Sequence, residues 1–202
     1  MKHEGLIRQA ADLGVALTPV QATALTRFES ILQDRAAGSG MIARGDLDRL
    51  RTRHVLDSLR AVPALAATSG RAIDLGSGAG LPGIPVAIAL PELRMTLTEA
   101  RRQRIAFLEM VVVELGLTNV TVHGGRAERA TGPVDACVAR AFRDAASSWA
   151  VAETLLDHGG RLVYFAGAGF DPNRDLPSEV RATILPASSL AKSGPLVIMT
   201  RQ

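Results

Sequence analysis

Ala72-Ile73-Asp74-Leu75-Gly76-Ser77-Gly78-Ala79-Gly80-Leu81-Pro82-Gly83-Ile84-Pro85 decides the fold. A short apolar run ends in a carboxylate, glycines follow at alternate positions, and prolines then appear where a helix can open: a strand, a tight turn and a helix start. Glycine belongs where the backbone takes positive φ or where a ligand approaches the main chain more closely than a Cβ allows. Pro82 or Pro85 fits a first helical position, where a missing N–H costs nothing. The pattern reads as a nucleotide-cofactor loop.

The position of the charge selects among cofactors. A dinucleotide loop lays a pyrophosphate on the helix N-terminus, which favours anions. Here Asp74 stands just ahead of the first glycine. Fixed negative charge opposes a diphosphate and suits the cationic methionine head of S-adenosylmethionine. Gly78 to Gly83 also spells G-x-G-x-x-G, which by itself is a weak signal and is read as coincidence. Leu93 to Thr98 reads as a second strand ending at Glu99. That places a carboxylate about 20 residues past the loop, the spacing at which an acid meets a ribose diol in α/β nucleotide sites.

Working outward, residues 4 to 16 form an amphipathic helix with Leu6, Ile7, Ala10, Leu13 and Ala16 on its apolar side. Thr18-Pro19-Val20-Gln21 is a capping-box signature for a second helix from Pro19 to Arg35, closed by Gly38-Ser39-Gly40. A third begins near Asp46 and is stopped by Pro63. Residues 1 to 66 thus make a helical extension with too little core of its own, packed on residues 67 to 202. From Arg71 the pattern alternates between strands and helices, the mark of an α/β sheet. The helix after Glu99 carries Ile105, Leu108, Val112 and Leu115 at helical spacing and is capped by Gly116. Val120 to Val122 is a third strand and Val134 to Ala139, ending at Arg140, a fourth. A helix from Asp144 to about Leu156 is closed by Gly159-Gly160 before a fifth strand, Arg161 to Phe165. Strands near Ala182 to Leu185 and Pro195 to Thr200 form a terminal hairpin. A mostly parallel, Rossmann-like sheet of seven strands ending in a hairpin is the class I S-adenosylmethionine-dependent methyltransferase plan.

The composition agrees with one globular unit: 202 residues, 47% hydrophobic and 21% charged. No apolar run is long enough to span a bilayer and the N-terminus lacks a signal-peptide core, so a cytoplasmic location without membrane contact is expected. One cysteine, Cys137, excludes an intrachain disulfide and a cysteine-based metal site. The sequence pI is about 9.7, and arginine supplies nearly all the positive charge, Lys2 and Lys192 being the only lysines. Such a surface is compatible with a phosphate-backbone partner, and equally with a genome rich in arginine codons.

Much of the chain from Arg53 to about Phe142 resembles the RsmG (GidB) methyltransferases, which modify guanine N7 in 16S ribosomal RNA. Arg53-His54-Val55-Leu56-Asp57-Ser58-Leu59 is similar to the family's Arg-His-x-x-Asp-Ser helix, and Asp74 through Pro85 to its cofactor loop. Arg126-Ala127-Glu128 and Arg140-Ala141-Phe142 are similar to two further motifs. Carried over position by position, the resemblance implies that Gly76, Leu81, Ala127, Glu128 and Arg140 line the cofactor pocket, beside Asp74, Gly78 and Glu99 from the loop reading. Ala127 and Glu128 follow the third strand, where an N–H and a carboxylate can meet the adenine edge. Arg140 ends the fourth strand at the carboxyl edge, where ligands of open α/β sheets lie. It is the candidate catalytic residue, able to hold a methionine carboxylate or an RNA phosphate. The implied partner is 16S rRNA or the small ribosomal subunit, met by a monomer without a metal.

The remaining residues constrain the acceptor. Guanine N7 carries a lone pair and no proton, so its methylation requires no general base. An Asp/Asn-Pro-Pro-aromatic turn for exocyclic amines is replaced here by Arg140-Ala141-Phe142, and Cys137 lies inside a strand, away from the loop position that pyrimidine C5 transfer needs. Phe142 could stack on a flipped base or pack in the core. Arg101, Arg102 and Arg104 could hold phosphates or form a solvated face, and His54 and His123 have no spaced metal partner. Two stretches depart from the family: Gln33-Asp34-Arg35 with Gly40-Met41-Ile42-Ala43, and Tyr164-Phe165-Ala166-Gly167. They flank the expected mouth and bear on the acceptor rather than the cofactor. The alternatives they leave are a paralogue with another acceptor, such as a small molecule, and a cofactor-binding module without catalysis.

Overall fold

A computed structural model describes residues 3–36, 40–66, 68, 70–187 and 193–202, without the side chain of Arg44. The chain starts with helices α1 (Glu4–Ala11), α2 (Pro19–Ile31), α3 (Asp57–Leu59) and α4 (Val62–Leu65). Alternation then follows: β1 (Arg71–Asp74), α5 (Gly83–Ala89), β2 (Arg94–Glu99), α6 (Arg102–Leu115), β3 (Val120–Gly124), β4 (Val134–Arg140), α7 (Ala145–Leu155), β5 (Leu156–Phe165), α8 (Pro172–Asp175), β6 (Arg181–Leu185) and β7 (Leu196–Thr200). The strands form one seven-stranded sheet in the order β3-β2-β1-β4-β5-β7-β6. β1 to β5 are parallel, and β7 runs antiparallel between β5 and β6. The expected class I methyltransferase sheet with its terminal hairpin is therefore present.

Strand side chains alternate between faces, and the sheet is buried on both. Ala72, Ala136, Val138 and Val163 point into a core shared with α5, α6 and the N-terminal helices, which contribute Leu6, Leu25, Phe28, Leu56 and Leu59. Ile73, Leu75, Cys137, Ala139 and Leu162 point into a second core closed by Trp149, Ala152 and Leu155 of α7. Cys137 is fully buried and burial pushes its thiol up, as an inert strand residue requires. The N-terminal helices have no separate core: their apolar faces complete one side of the sheet. Gln21 shows how they are fastened. Its backbone N–H and side chain complete the capping box with Thr18, and its amide also donates to Ile88 O and Ala89 O at the C-terminal end of α5.

The local differences from expectation concentrate before β1. α1 stops at Ala11, and Gly14 then takes φ 76°. α2 gives way to a π-turn over Leu32–Ala36. Of the proposed stop, Gly38 and Ser39 lie outside the described residues. The third helix is a 3-10 stretch (Arg44–Arg49), a π-stretch (Leu50–Leu56) and then α3. Pro63 does not end it but sits near the start of α4, where its missing N–H goes unnoticed. After the glycine loop, Pro82 is the N-cap of α5 and Pro85 lies inside its first turn. Gly159 and Gly160 do not follow a helix end. They fall inside β5, where the register against β4 shifts between Val134 and Ala136 and Gly159 takes φ 74°.

Candidate functional site

The carboxyl ends of β1, β2 and β4 converge on the glycine loop. Gly76 has φ 71°, and a Cβ there would lie 2.6 Å from Phe142 Cδ2, so the ring packs directly on the loop backbone. Thr98 anchors the turn from β2, accepting from Gly76 N through its hydroxyl and donating to Asp74 O. Among the described residues, the atoms within 4 Å of a hypothetical Cβ at Gly78 are Arg104 Nη1 and Gly76 O, both at 3.9 Å, leaving backbone open to a ligand.

Two recesses flank this loop. One, about 350 Å³, is lined by Gly76, Glu99, Arg101, Arg104, Ala127, Glu128, Phe142 and Arg143. Another, about 290 Å³, is lined by Ile42, His54, Gly76 to Ala79, Leu81, Arg104, Arg140 and Ala141. A third, about 470 Å³, lies beyond Arg140 and Ala141 among Arg53, Asp57, Arg60, Tyr164 to Ala168, Ser193 and Gly194. Ala141 lines all three. It holds φ 51°, a left-handed conformation that costs a non-glycine residue about 1–2 kcal/mol. This turn sends Arg140 toward the N-terminal segment and Phe142 back over Gly76.

Glu99 is buried and tightly oriented. Its Oε1 accepts from Ala100 N and Arg101 N at 2.9 Å, its Oε2 from Gly78 N at 3.1 Å, and Arg104 lies 3.7 Å away. Glu128 lines the same recess, but Arg143 holds its carboxylate, in place of the free acceptor for an adenine amino group that the sequence suggested. The Arg143 guanidinium also sits 4.7 Å from the centre of the Phe142 ring. Phe142 is thus a half-buried wall of the 350 Å³ recess. Arg101 and Arg104 face that recess, whereas Arg102 is exposed and lines none of the three.

Asp74 differs most from its expected placement. Its carboxylate lies on the inner face of β1, fully buried, and lines none of the three recesses. Oδ2 accepts from Gly83 N at 3.0 Å and Oδ1 accepts no hydrogen bond among the described residues. Burial pushes its pKa up to about 7, against the opposing pull of the nearby Ser77 hydroxyl and then of the Gly83 N–H. In this structure Asp74 fastens the start of α5 beneath the loop. Gly83 is obligatory there, because a Cβ would lie 2.6 Å from Asp74 Oδ2 and 2.4 Å from Leu97 Cδ2.

Arg140 reaches inward rather than into solvent. Nη2 donates to Arg53 O and His54 Nδ1, both at 2.9 Å; Nη1 lies 3.4 Å from His54 O and 3.7 Å from Asp57 Oδ2. His54 O accepts as well from Asp57 N and, at 2.6 Å, from Ser58 Oγ, so Arg140 joins bonds already made inside the Arg-His-x-x-Asp-Ser segment. Burial and then the charge of Arg140 lower the His54 pKa to about 4, so the ring is neutral at physiological pH. With Nδ1 accepting from Arg140, the proton resides on Nε2, 3.5 Å from Asp46 Oδ2. Sequence reasoning quoted Asp57 without a role and missed Arg60 and Arg143. The i,i+3 pairing of Asp57 with Arg60 inside an apolar helix was the available signal. Among the described residues no group of histidine, cysteine, aspartate or glutamate could hold a metal ion, and no helix is long and apolar enough to cross a membrane.

The model of the family described as rRNA small subunit methyltransferase G (GidB) matches residues 21–174. The chain belongs to this family. Ribosomal RNA small subunit methyltransferase G of Laribacter hongkongensis is 36% identical over 173 residues, covering 84% of this chain and 83% of that protein. The Mycobacterium avium protein of the same name is 38% identical over 190 residues, covering 83% and 76%. Among solved structures, the O-methyltransferase TomG from Streptomyces achromogenes, in complex with S-adenosylmethionine, superposes with a TM-score of 0.62 at 19% identity over 100% of this chain and 99% of that one. TrmN from Thermus thermophilus gives a TM-score of 0.57 at 17% identity over 75% and 49%. The protein is an S-adenosylmethionine-dependent methyltransferase of the RsmG family.

Proposed function

We propose that the protein methylates N7 of one guanine in 16S ribosomal RNA, acting as a cytoplasmic monomer on the small subunit or its precursor. The observation that carries this reading is that Ala141 walls both glycine-loop recesses and a separate 470 Å³ recess, the last shared also with Arg140, in a chain of this family. S-adenosylmethionine, when bound, supplies an electrophilic methyl group on a sulfonium.

The residues present fit that cofactor. Open backbone at Gly78 and the fixed carboxylate of Glu99 suit a ribose diol, and Ala127 places its backbone at the adenine side. Gly76 and Leu81 shape the passage toward the methionine end. Asp74 acts from below, buried under the loop and fastened to Gly83 N. Arg140 is assigned to positioning, because its guanidinium is taken up by Arg53, His54 and Asp57.

N7 has no proton to lose, so the protein's task is orientation of the acceptor in a near-attack arrangement. His54, whose lone-pair nitrogen is taken up by Arg140, and an arginine saturated with acceptors are consistent with a site that has no general base. Mass spectrometry of rRNA from cells with and without the gene tests the reading: loss of one N7-methylguanine is expected, and unchanged rRNA overturns it.

A further inference from the structure

We infer that Asp57 is a specificity-determining residue that reads the 2-amino edge of the target guanine, with Arg60 holding it in place. The inference deepens the proposed function and rests on it. Asp57 lines the largest recess, yet it is only 5% exposed and two arginines flank it. Its two oxygens are used unequally. Oδ1 accepts from Arg60 Nη1 at 2.8 Å. Oδ2 lies 3.7 Å from Arg140 Nη1, beyond hydrogen-bond reach, and accepts no hydrogen bond among the described residues.

Arg60 cannot swing to serve Oδ2. Its Nη1 also donates to Ser193 Oγ and Gly194 O, and its Nη2 to Pro186 O and Gly194 O, at 2.9 to 3.1 Å. These bonds tie the helix end to the β6–β7 connection and fix the carboxylate. Oδ2 is therefore an acceptor that no hydrogen bond among the described residues occupies, on a carboxylate that walls the recess and whose charge Arg60 and Arg140 compensate.

Guanine supplies that donor where adenine does not. Its 2-amino group and N1–H lie on the edge opposite N7. A purine that presents N7 to the loop, across the shared border at Ala141, therefore turns its 2-amino edge into the recess that Asp57 lines. Tyr164 and Phe165 contribute aromatic wall to the same recess. Adenine would set a ring nitrogen acceptor against Oδ2, an acceptor facing an acceptor.

The test uses small subunits assembled in vitro from 16S rRNA joined from two transcripts, with guanosine or inosine at the nucleotide that mass spectrometry identifies. Inosine keeps N7, O6 and N1–H and lacks only the 2-amino group. With the wild-type protein the initial rate on inosine should fall by roughly 10- to 100-fold, the range for a hydrogen bond to a charged group. Asp57→Asn should lower the rate on guanosine and bring the two substrates to within about threefold of each other. Its affinity for S-adenosylmethionine by calorimetry should stay near the wild-type value, which shows that the fold and cofactor site persist. Equal wild-type rates on the two substrates, or full discrimination retained by Asp57→Asn, overturn the assignment while leaving the proposed function standing. Failure of the wild-type protein on guanosine subunits counts against the proposed function itself.

Discussion

Arg140 Nη2 lies 2.9 Å from the backbone carbonyl of Arg53, joining the end of β4 to the π-stretch that precedes α3. Two motifs 87 residues apart in sequence are thereby one structural unit. A lysine in place of Arg140 keeps the charge but not the planar fork that serves Arg53 O and His54 Nδ1 together. Arg140→Lys should lose about 1–3 kcal/mol of stability. Urea unfolding checks this as a lowered midpoint with an unchanged slope. Methyl transfer should fall at least about tenfold, because the border between the cofactor and acceptor recesses is no longer fixed.

His54 makes stability fall in acid. Its pKa is about 4 in the folded chain against 6.5 for an ordinary imidazole, so between those values the unfolded chain binds the proton and the folded chain does not. Above pH 6.5 the group contributes nothing; as pH falls toward 4 it opposes folding progressively. At pH 5 the penalty is about 2 kcal/mol. His54→Gln, which can still accept from Arg140, should lose less stability than the wild type between pH 7 and pH 5, by about that amount. Parallel denaturation curves at the two pH values decide it, and identical pH slopes would reject the buried neutral ring.

How much of this was legible in the sequence follows from how local each signal is. The sheet was readable because strand alternation and glycine punctuation are short-range, and the Gly116 cap and the Thr18 capping box appear where expected. The segment between α2 and β1 was not. Its π- and 3-10 geometry answers to tertiary partners, Arg140 above all, that no helical period announces. At the site, Glu99 and the loop glycines were legible from spacing. Asp74 was found, but its direction was not: position along a strand gives the face only once the register with the loop is known, and the inner face holds it beneath α5. The pairing of Glu128 with Arg143 depends on the left-handed turn at Ala141, which nothing in that residue's identity signals.

Asp74→Asn should stabilise the protein at alkaline pH. The folded carboxyl has a pKa of about 7 against 3.8 for an ordinary aspartate, so between these the folded chain holds the extra proton. Its contribution is therefore retained at low pH and lost as pH rises through 7. From pH 5 to pH 8 the wild type should lose about 3 kcal/mol through this group, a loss the asparagine variant lacks. The amide oxygen can still accept from Gly83 N, so the loop is kept. Thermal melts across that range are the check. S-adenosylmethionine should bind the variant more weakly than the wild type at pH 8, because the negative charge beneath its cationic head is gone; equal affinity would remove Asp74 from cofactor selection.

Gly76→Ala tests the loop where it is tightest. A side chain there meets two penalties: the positive φ of 71°, which an L-residue adopts at about 1–2 kcal/mol, and Phe142 Cδ2 at 2.6 Å from the new carbon. The ring is the part that can yield, and its departure would release Arg143 from above it and widen the recess that Gly76 and Phe142 share. The expected outcome is a folded protein with a lower melting temperature and cofactor affinity reduced at least about tenfold, since strain at the loop is paired with a lost wall. Adding Phe142→Ala should restore part of the stability by removing the clash while leaving binding weak. If the single variant binds S-adenosylmethionine like the wild type, the contact between Phe142 and Gly76 does not shape the cofactor recess.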